Sequence, residues 1–584
     1  MRKSLRDCFS VVSVLLSVGV TFFLLACSRQ QENLSSQIIP QGHSETLNLL
    51  YWQAPTILNP HLSTGFKDSE ASRITLEPLA SYDNQGNLIP FLAAEIPSRD
   101  NGGISPDGKS VTWKLKEGIK WSDGTPFMAD DVVFTYQFVT NPKVGSTSAN
   151  NYVSIETVKA IDKNTVKVVF KKSNPAWDLP FVGGGGMILP RHLYKNYNGE
   201  NARQAPENLI PIGTGPYKVV EFKPGNVVVY EVNSHFREVD KLGFKKIKLK
   251  GGGDATSAAR AVLQTGDVDY AYNLQVEVNI LNQLAAGGAG KIKSIFGGTS
   301  ERILINLTDP NKATIEGEKS SLKFPHPFFQ SKQVREAFSL AIDRDTIAQQ
   351  LYGVTGKAIS NFLIAPLQYN SPNTSYEFNL EKASQLLDKE GWKDSNNNGI
   401  RDKNGIEMKI VFQTSVNPLR QKTQEVIKQG LQKIGVGVEL KNVDASIFFS
   451  SDPSNNDTVE HFYSDLEMFT TGNTNPDPST YMKTYMCDTI PQKSNNWSGD
   501  NYSRYCNPAY DRLWQQAVQE LDTKKRQKIF IAMNDMLVND FIVIPLIHRA
   551  DVVGISTSIQ GFESTPWDFN TWNIKDWKTY EVDS

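Results

Sequence analysis

A chain of 584 residues with 39% hydrophobic side chains can bury more apolar surface than one core usually organises, so two or three lobes are expected. Its 61 basic and 63 acidic side chains leave a formal charge of -2, which excludes the basic footprint of a nucleic-acid binder. Beyond the amino terminus no apolar run approaches membrane length, so the mature part is expected to be soluble.

Arg2, Lys3 and Arg6 precede an apolar run from Phe9 through Ala26 that only Ser, Thr and Gly interrupt. This pattern reads as an export signal; an uncleaved membrane anchor is the alternative, since about 18 apolar residues sit at the lower edge of a bilayer span. Leu24-Leu25-Ala26-Cys27 resembles the lipobox of bacterial lipoproteins, so residues 1–27 are expected to form a signal cut before Cys27, with Cys27 carrying the lipid. Residues 28–44 are polar, rich in Gln and Ser and without period, as suits a flexible tether.

Strand and helix patterns then alternate. Leu47 to Trp52 reads as a strand, and in Val111 to Lys116 the apolar Val111, Trp113 and Leu115 alternate with polar residues. Turn residues follow at Glu117-Gly118 and Ser122-Asp123-Gly124; a helix is expected next, with Asp130 and Asp131 near its positive end and Val132, Val133, Tyr136 and Val139 on its apolar face. Thr165 to Phe170, Val227 to Val232, Ile303 to Leu307 and Met408 to Phe412 read as further strands, and Val334 to Ala348 and Asn379 to Glu390 as helices. The fold class is α/β with mixed sheets.

Cys8 leaves with the signal and Cys27 is consumed by lipid, which leaves Cys487 and Cys506. In an oxidising compartment such a pair most simply forms a disulfide; zinc is a poor rival, because no histidine lies in that segment and a structural site wants four ligands. Neither glycine run, Gly183 to Gly186 or Gly251 to Gly253, has phosphate-loop spacing. Ser320-Ser321-Leu322-Lys323 matches the serine element of penicillin-recognising enzymes without its companion elements. Asp394 to Asp402 has oxygen side chains at the alternate positions a calcium loop uses, but its twelfth position is Gly405, where an EF-hand needs glutamate; a turn is the preferred reading and calcium stays open. No metal site and no cofactor are expected, and with no nucleophile or acid–base motif in the chain, neither is an enzyme.

The stretch W-K-L-K-x-G-I-K-W-S-D-G-T-P-x-x-A-x-D-V-x-x-T, from Trp113 to Thr135, resembles the signature of the peptide and nickel family of extracytoplasmic solute-binding proteins, family 5, which serve ATP-driven importers. Gly213-Thr214-Gly215-Pro216-Tyr217, Val334-Arg335 with Ala341-Ile342-Asp343-Arg344, Ile434-Gly435-Val436, Tyr505 to Asp511 and Ile544-Pro545-Leu546 resemble further family blocks in family order. The resemblance covers nearly everything after Leu47. It implies a bilobed periplasmic-binding-protein fold of type II, the large cluster C form, with an extra inserted domain. The expected ranges are 45–82, 206–305 and 530–584 for the first lobe, 83–205 for the insertion and 306–529 for the second lobe.

The same resemblance implies cleft contacts at Thr64, Gly65 and Phe66, at Tyr272 and Asn273, and in the segment containing Thr471, Asn473, Thr474 and Asp477. Peptide-binding relatives hold the ligand amino group with an aspartate three residues before an acidic-Pro pair; here Thr474 stands there, with Asn473 beside it, and neither carries charge. The expected function is capture of an extracytoplasmic oligopeptide by lobe closure and delivery to an ABC permease and its ATPase. An oligosaccharide or metal-chelate binder and a peptide-sensing lipoprotein remain alternatives. The protein is expected to be a monomer, exported and held to a membrane by its lipid.

Overall fold

The computed structural model describes residues 45–580 apart from 451 and 521, so the expected signal, tether and lipidated Cys27 lie outside the described residues. A seven-stranded mixed sheet has the spatial order Gly290–Ile295, Asp551–Ser556, Tyr270–Ala271, Thr46–Tyr51, Lys246–Gly251, Val227–Val232 and Tyr217–Lys223. Thr46–Tyr51 pairs parallel with both of its neighbours. Its Leu47, Leu49 and Tyr51 are fully buried and alternate with half-buried residues, the period expected of a strand with one face in the core.

A six-stranded sheet forms the second lobe, in the order Gly356–Ala358, Val543–Arg549, Gly298–Ile305, Leu466–Asn473, Lys409–Ser415 and Gly437–Val443. Residues 298–305 and 543–549, expected in the first lobe, hydrogen-bond into this sheet instead. The chain therefore changes sheets at Phe296-Gly297 and again at Ala550, where two antiparallel strands run from one lobe into the other. Gly298 and Gly472 allow the close strand approach at this edge: a Cβ on Gly298 would stand 2.2 Å from the Asn473 carbonyl oxygen.

The inserted segment carries a three-stranded antiparallel sheet, Ser110–Lys114, Thr165–Phe170 and Ile155–Asp162, covered by helix Ala129–Thr140. That helix buries Val132, Phe134, Thr135, Phe138 and Val139, while Val133 and Tyr136 are half-buried at its margin. The helix expected over Val334 to Ala348 is broken: Lys332–Leu340 ends and Asp343 restarts the chain as Arg344–Ile347 by accepting the Thr346 N–H at 3.0 Å. In the Asp394 loop the carboxylate accepts the N–H groups of Asn398 and Gly399 at 3.0 and 2.9 Å, and Asp402 accepts that of Ser395, which gives the loop internal partners as a turn.

Cys487 and Cys506 are joined in a disulfide that closes a loop containing Trp497, Asp500 and Tyr502. Replacing Cys506 with Ala is expected to lower stability by roughly 3 kcal/mol, because the closed loop restricts the unfolded chain. Urea melts of oxidised wild type and variant measure this, and coincident midpoints would refute it.

Candidate functional site

Between the two sheets and the inserted segment lies a cavity of about 330 Å³. Its first wall comes from the loop after Asn59. The Asn59 side chain accepts the His61 N–H at 3.1 Å, and Pro60 fixes the following turn. His61 is buried with one ring nitrogen 2.9 Å from Ser148 Oγ and the other 2.8 Å from the Met187 carbonyl. Burial lowers its pKa to about 4, so the ring is neutral; Nε2 donates to the carbonyl and Nδ1 accepts from the hydroxyl. This anchoring leaves Thr64, Gly65 and Phe66 on the cavity surface. Thr64 Oγ1 also crosses to the second lobe, donating to the Phe449 carbonyl at 2.9 Å.

Tyr272 and Asn273 follow the short strand Tyr270–Ala271 and line the same space. The Tyr272 ring stacks on Tyr51 at 4.7 Å. Asn273 has φ +53, a left-handed conformation that asparagine tolerates, and its carbonyl accepts Trp52 Nε1–H at 2.8 Å. Its side-chain oxygen accepts from Gln275 at 2.9 Å and from Arg549 of the second lobe at 3.0 Å. Asn417 donates across the cleft to Gln275, and Lys422 pairs with Glu277. The lobes are therefore closed on one another.

Thr471, Asn473 and Thr474 lie at the end of Leu466–Asn473 and also line the cavity; Asn473 donates to the Ala365 carbonyl at 3.1 Å. Asp477 does not line it. Its carboxylate is held by Arg526 and accepts the Ser479 N–H at 2.9 Å at the start of helix Ser479–Lys483, so it is withdrawn from the candidate contacts.

Four charged residues of the cavity wall have no signature in the sequence: Arg302, Arg420, Arg549 and Asp500. Arg420 meets Glu301 at 2.7 Å with both side chains buried, and donates further to Ser415 Oγ and Thr470 Oγ1. Asp500 is the one carboxylate among the described residues of this wall; it accepts from Asn150 of the inserted segment at 2.7 Å, and desolvation raises its pKa. Asn150 in turn accepts from Lys483 at 2.8 Å, which ties the insertion to the second lobe. Glu301 and Arg302 stand directly before the apolar Ile303-Leu304-Ile305, the one local hint that the strand meets something polar. Tyr481, Tyr485, Tyr502, Phe449 and Phe469 complete an aromatic wall. Such a surface can hold an organic solute by stacking, backbone pairing and charge.

Comparison with known proteins agrees with this architecture. The sequence model described as "Bacterial extracellular solute-binding proteins, family 5 Middle" matches residues 87–492. The oligopeptide-binding protein AppA of Bacillus subtilis is 26% identical over 600 residues, covering 98% of this chain and 99% of its own. The structure of AppA in complex with a nonapeptide aligns with a TM-score of 0.77 at 24% identity, covering 92% of this chain and 99% of that one. NikZ from Campylobacter jejuni in complex with Ni(L-His) aligns with a TM-score of 0.76, also at 24% identity, covering 92% and 100%. With a family match over residues 87–492 and a cavity walled by two lobes and an insertion, the chain belongs to the family 5 bacterial extracellular solute-binding proteins.

Proposed function

We propose that this protein is the substrate-binding component of an ABC importer, capturing an oligopeptide outside the cytoplasm and delivering it to a permease and its ATPase. The observation that carries the reading is the cavity between the lobes, whose walls come from the first lobe, the inserted segment and the second lobe together. The names of relatives such as the oligopeptide-binding protein AppA support the same ligand class. No bond is made or broken: solute binding favours the closed population, and opening about the strand crossings at Phe296-Gly297 and Ala550 releases it. Thr64, Gly65, Phe66, Tyr272, Thr471, Asn473 and Thr474 are the proposed contacts, and Asn273 positions its neighbours through Arg549 and Gln275. Among the described residues no helix is long and apolar enough to cross a membrane. In this reading a monomer is exported and held to the membrane by lipid on Cys27, and Cys27→Ser releases it into the soluble fraction.

Asn473 and Thr474 carry no charge, so the peptide is held mainly by backbone pairing and side-chain pockets. Blocking its amino terminus is expected to change binding little. Peptide at about a hundredfold its Kd stabilises by roughly 2.7 kcal/mol, which thermal shift detects, and free and acetylated forms of one peptide should give similar shifts. Loss of the shift on acetylation would point to an acidic anchor, with Asp500→Asn the deciding variant. Oligosaccharides that shift melting where peptides do not would refute the peptide assignment.

A further inference from the structure

We propose that a second cavity, between the inserted segment and the second lobe, is an effector site for a small organic carboxylate with an apolar body, and that its occupation holds the cleft closed. The coupling to closure rests on the solute-capture reading above; the site itself does not. This cavity, of about 370 Å³, lies beside the cleft, and Asn151 and Thr480 line both. One side comes from the insertion, through Val153, Lys171, Lys172 and Leu179, and the other from the second lobe, through Lys483, Trp514 and Val518. It is therefore complete only while the two bodies meet.

Lys171, Lys172 and Lys483 stand in this wall against one carboxylate among its described residues, the exposed Asp488. Lys171 donates to the Val153 carbonyl at 2.9 Å, and Lys172, exposed at the rim, has no hydrogen-bond or ion-pair partner among the described residues. Lys483 is 7% exposed. The other buried lysine among the described residues, Lys67, is 5% exposed and has Asp68 at 2.7 Å, whereas Lys483 pairs with no acid. Desolvation by burial holds its pKa below that of a free lysine, against the pull of Asp488 and Asp500. Of its three donors one goes to Asn150 Oδ1 at 2.8 Å, and the ammonium stands 5.9 Å from the Trp514 ring centroid. Trp514 is itself fixed, donating Nε1–H to the Ser479 carbonyl at 2.9 Å, and with Val153, Leu179 and Val518 it gives the cavity an apolar side. A buried ammonium with spare donors beside such a surface matches a carboxylate carried on an aromatic or aliphatic body. Asn150, which accepts from Lys483, donates to Asp500 of the cleft wall at 2.7 Å, so one chain of hydrogen bonds joins the two cavities. An anion seated on lysines of both bodies selects the closed population; by linkage it raises the affinity of the cleft for solute, and solute raises the affinity for the anion.

Calorimetric titration with phenylacetate, phenylacetamide and acetate tests the site without any cleft solute. Phenylacetate is expected to bind with a sub-millimolar Kd, and the uncharged amide and the bodiless acetate at least about 10-fold more weakly. Lys483→Gln should abolish this preference. Lys172→Glu, on the exposed rim where folding is not at stake, should weaken phenylacetate about 5-fold or more. Absence of phenylacetate binding, equal binding of the amide, or binding unchanged in both variants overturns the proposal. Small-angle X-ray scattering then reads closure: the radius of gyration of solute-free protein should fall on adding phenylacetate, and an unchanged radius overturns the effector role. Pools of random pentapeptides and octapeptides supply the cleft solute, and saturating phenylacetate should tighten both about 5-fold or more in wild type but not in Lys172→Glu. Weakening of both pools would place phenylacetate in the cleft itself, and weakening of octapeptides alone would make the second cavity a recess for the end of a long solute; either overturns the effector assignment. If neither pool binds, the peptide reading fails, while calorimetry and scattering still decide the site.

Discussion

Replacing Glu301 with Ala is expected to lower stability by about 3–5 kcal/mol, among the largest effects of any single substitution in this protein. Glu301 is 1% exposed and Arg420 3%, so the deletion leaves a guanidinium in the lobe interior with no acid to balance it. Thr470 Oγ1, which donates to Glu301, loses its acceptor at the same time. The damage spreads because Arg420 lies on helix Pro418–Lys433, and Asn417, which caps that helix by accepting the Arg420 N–H at 3.0 Å, also reaches across the cleft to Gln275. Arg420→Ala should cost a similar amount, since it strands the carboxylate. Exposed pairs should behave differently. Lys143 and Glu200 are 66% and 81% exposed, and Glu200→Ala should leave the denaturation midpoint where it was. Urea melts followed by far-ultraviolet circular dichroism make the comparison; a loss below about 1 kcal/mol for Glu301→Ala would show that the pair is solvated or dispensable.

That ion pair also marks where sequence reading stopped. Thr165–Phe170 and Val227–Val232 were legible to the residue, because alternating or continuous apolar runs bounded by turns are a local property. Gly298–Ile305 was legible only from Ile303 onward: Ser300, Glu301 and Arg302 are buried polar residues, of which Arg302 lines the cleft, and polarity in sequence reads as exposure. The lobe boundaries slipped for the same reason, since this strand and Val543–Arg549 belong to the second sheet through pairings that no local pattern encodes. In the site, the loop through Thr64 to Phe66 was found through family resemblance. Arg302, Arg420, Asp500 and Arg549 were not, as they converge from widely separated segments and share no spacing. Asp477 stood in the right motif, but Arg526, which claims its carboxylate, lies on a distant helix.

The segment from Trp113 to Thr135, the most recognisable in the chain, should prove to govern folding and not ligand affinity. Trp121 is 1% exposed; its ring meets Phe127 edge-on at 5.7 Å, and its Nε1 donates to Asp131 at 3.3 Å. Asp131 lies in the first turn of helix Ala129–Thr140 and accepts two further N–H groups, from Met128 at 3.0 Å and Arg191 at 2.9 Å. One carboxylate thus fastens the turn, the helix start and the distant start of the short helix Arg191–Tyr194, which explains why tryptophan and aspartate stand at this spacing. Gly124 makes the intervening turn with φ +89 and sits 3.2 Å from the His235 ring by its would-be Cβ, so a side chain there would be strained on both counts. Trp121→Ala is expected to cost about 3–5 kcal/mol through the cavity it leaves, and Asp131→Ala about 1–3 kcal/mol for the N–H donors it orphans. Neither residue lines the cleft cavity, so the folded fraction of each variant should bind the peptide pools with wild-type affinity. Calorimetric titration corrected for active fraction tests this together with the melts. A variant that melts like wild type but has lost affinity would place the segment in the binding machinery instead.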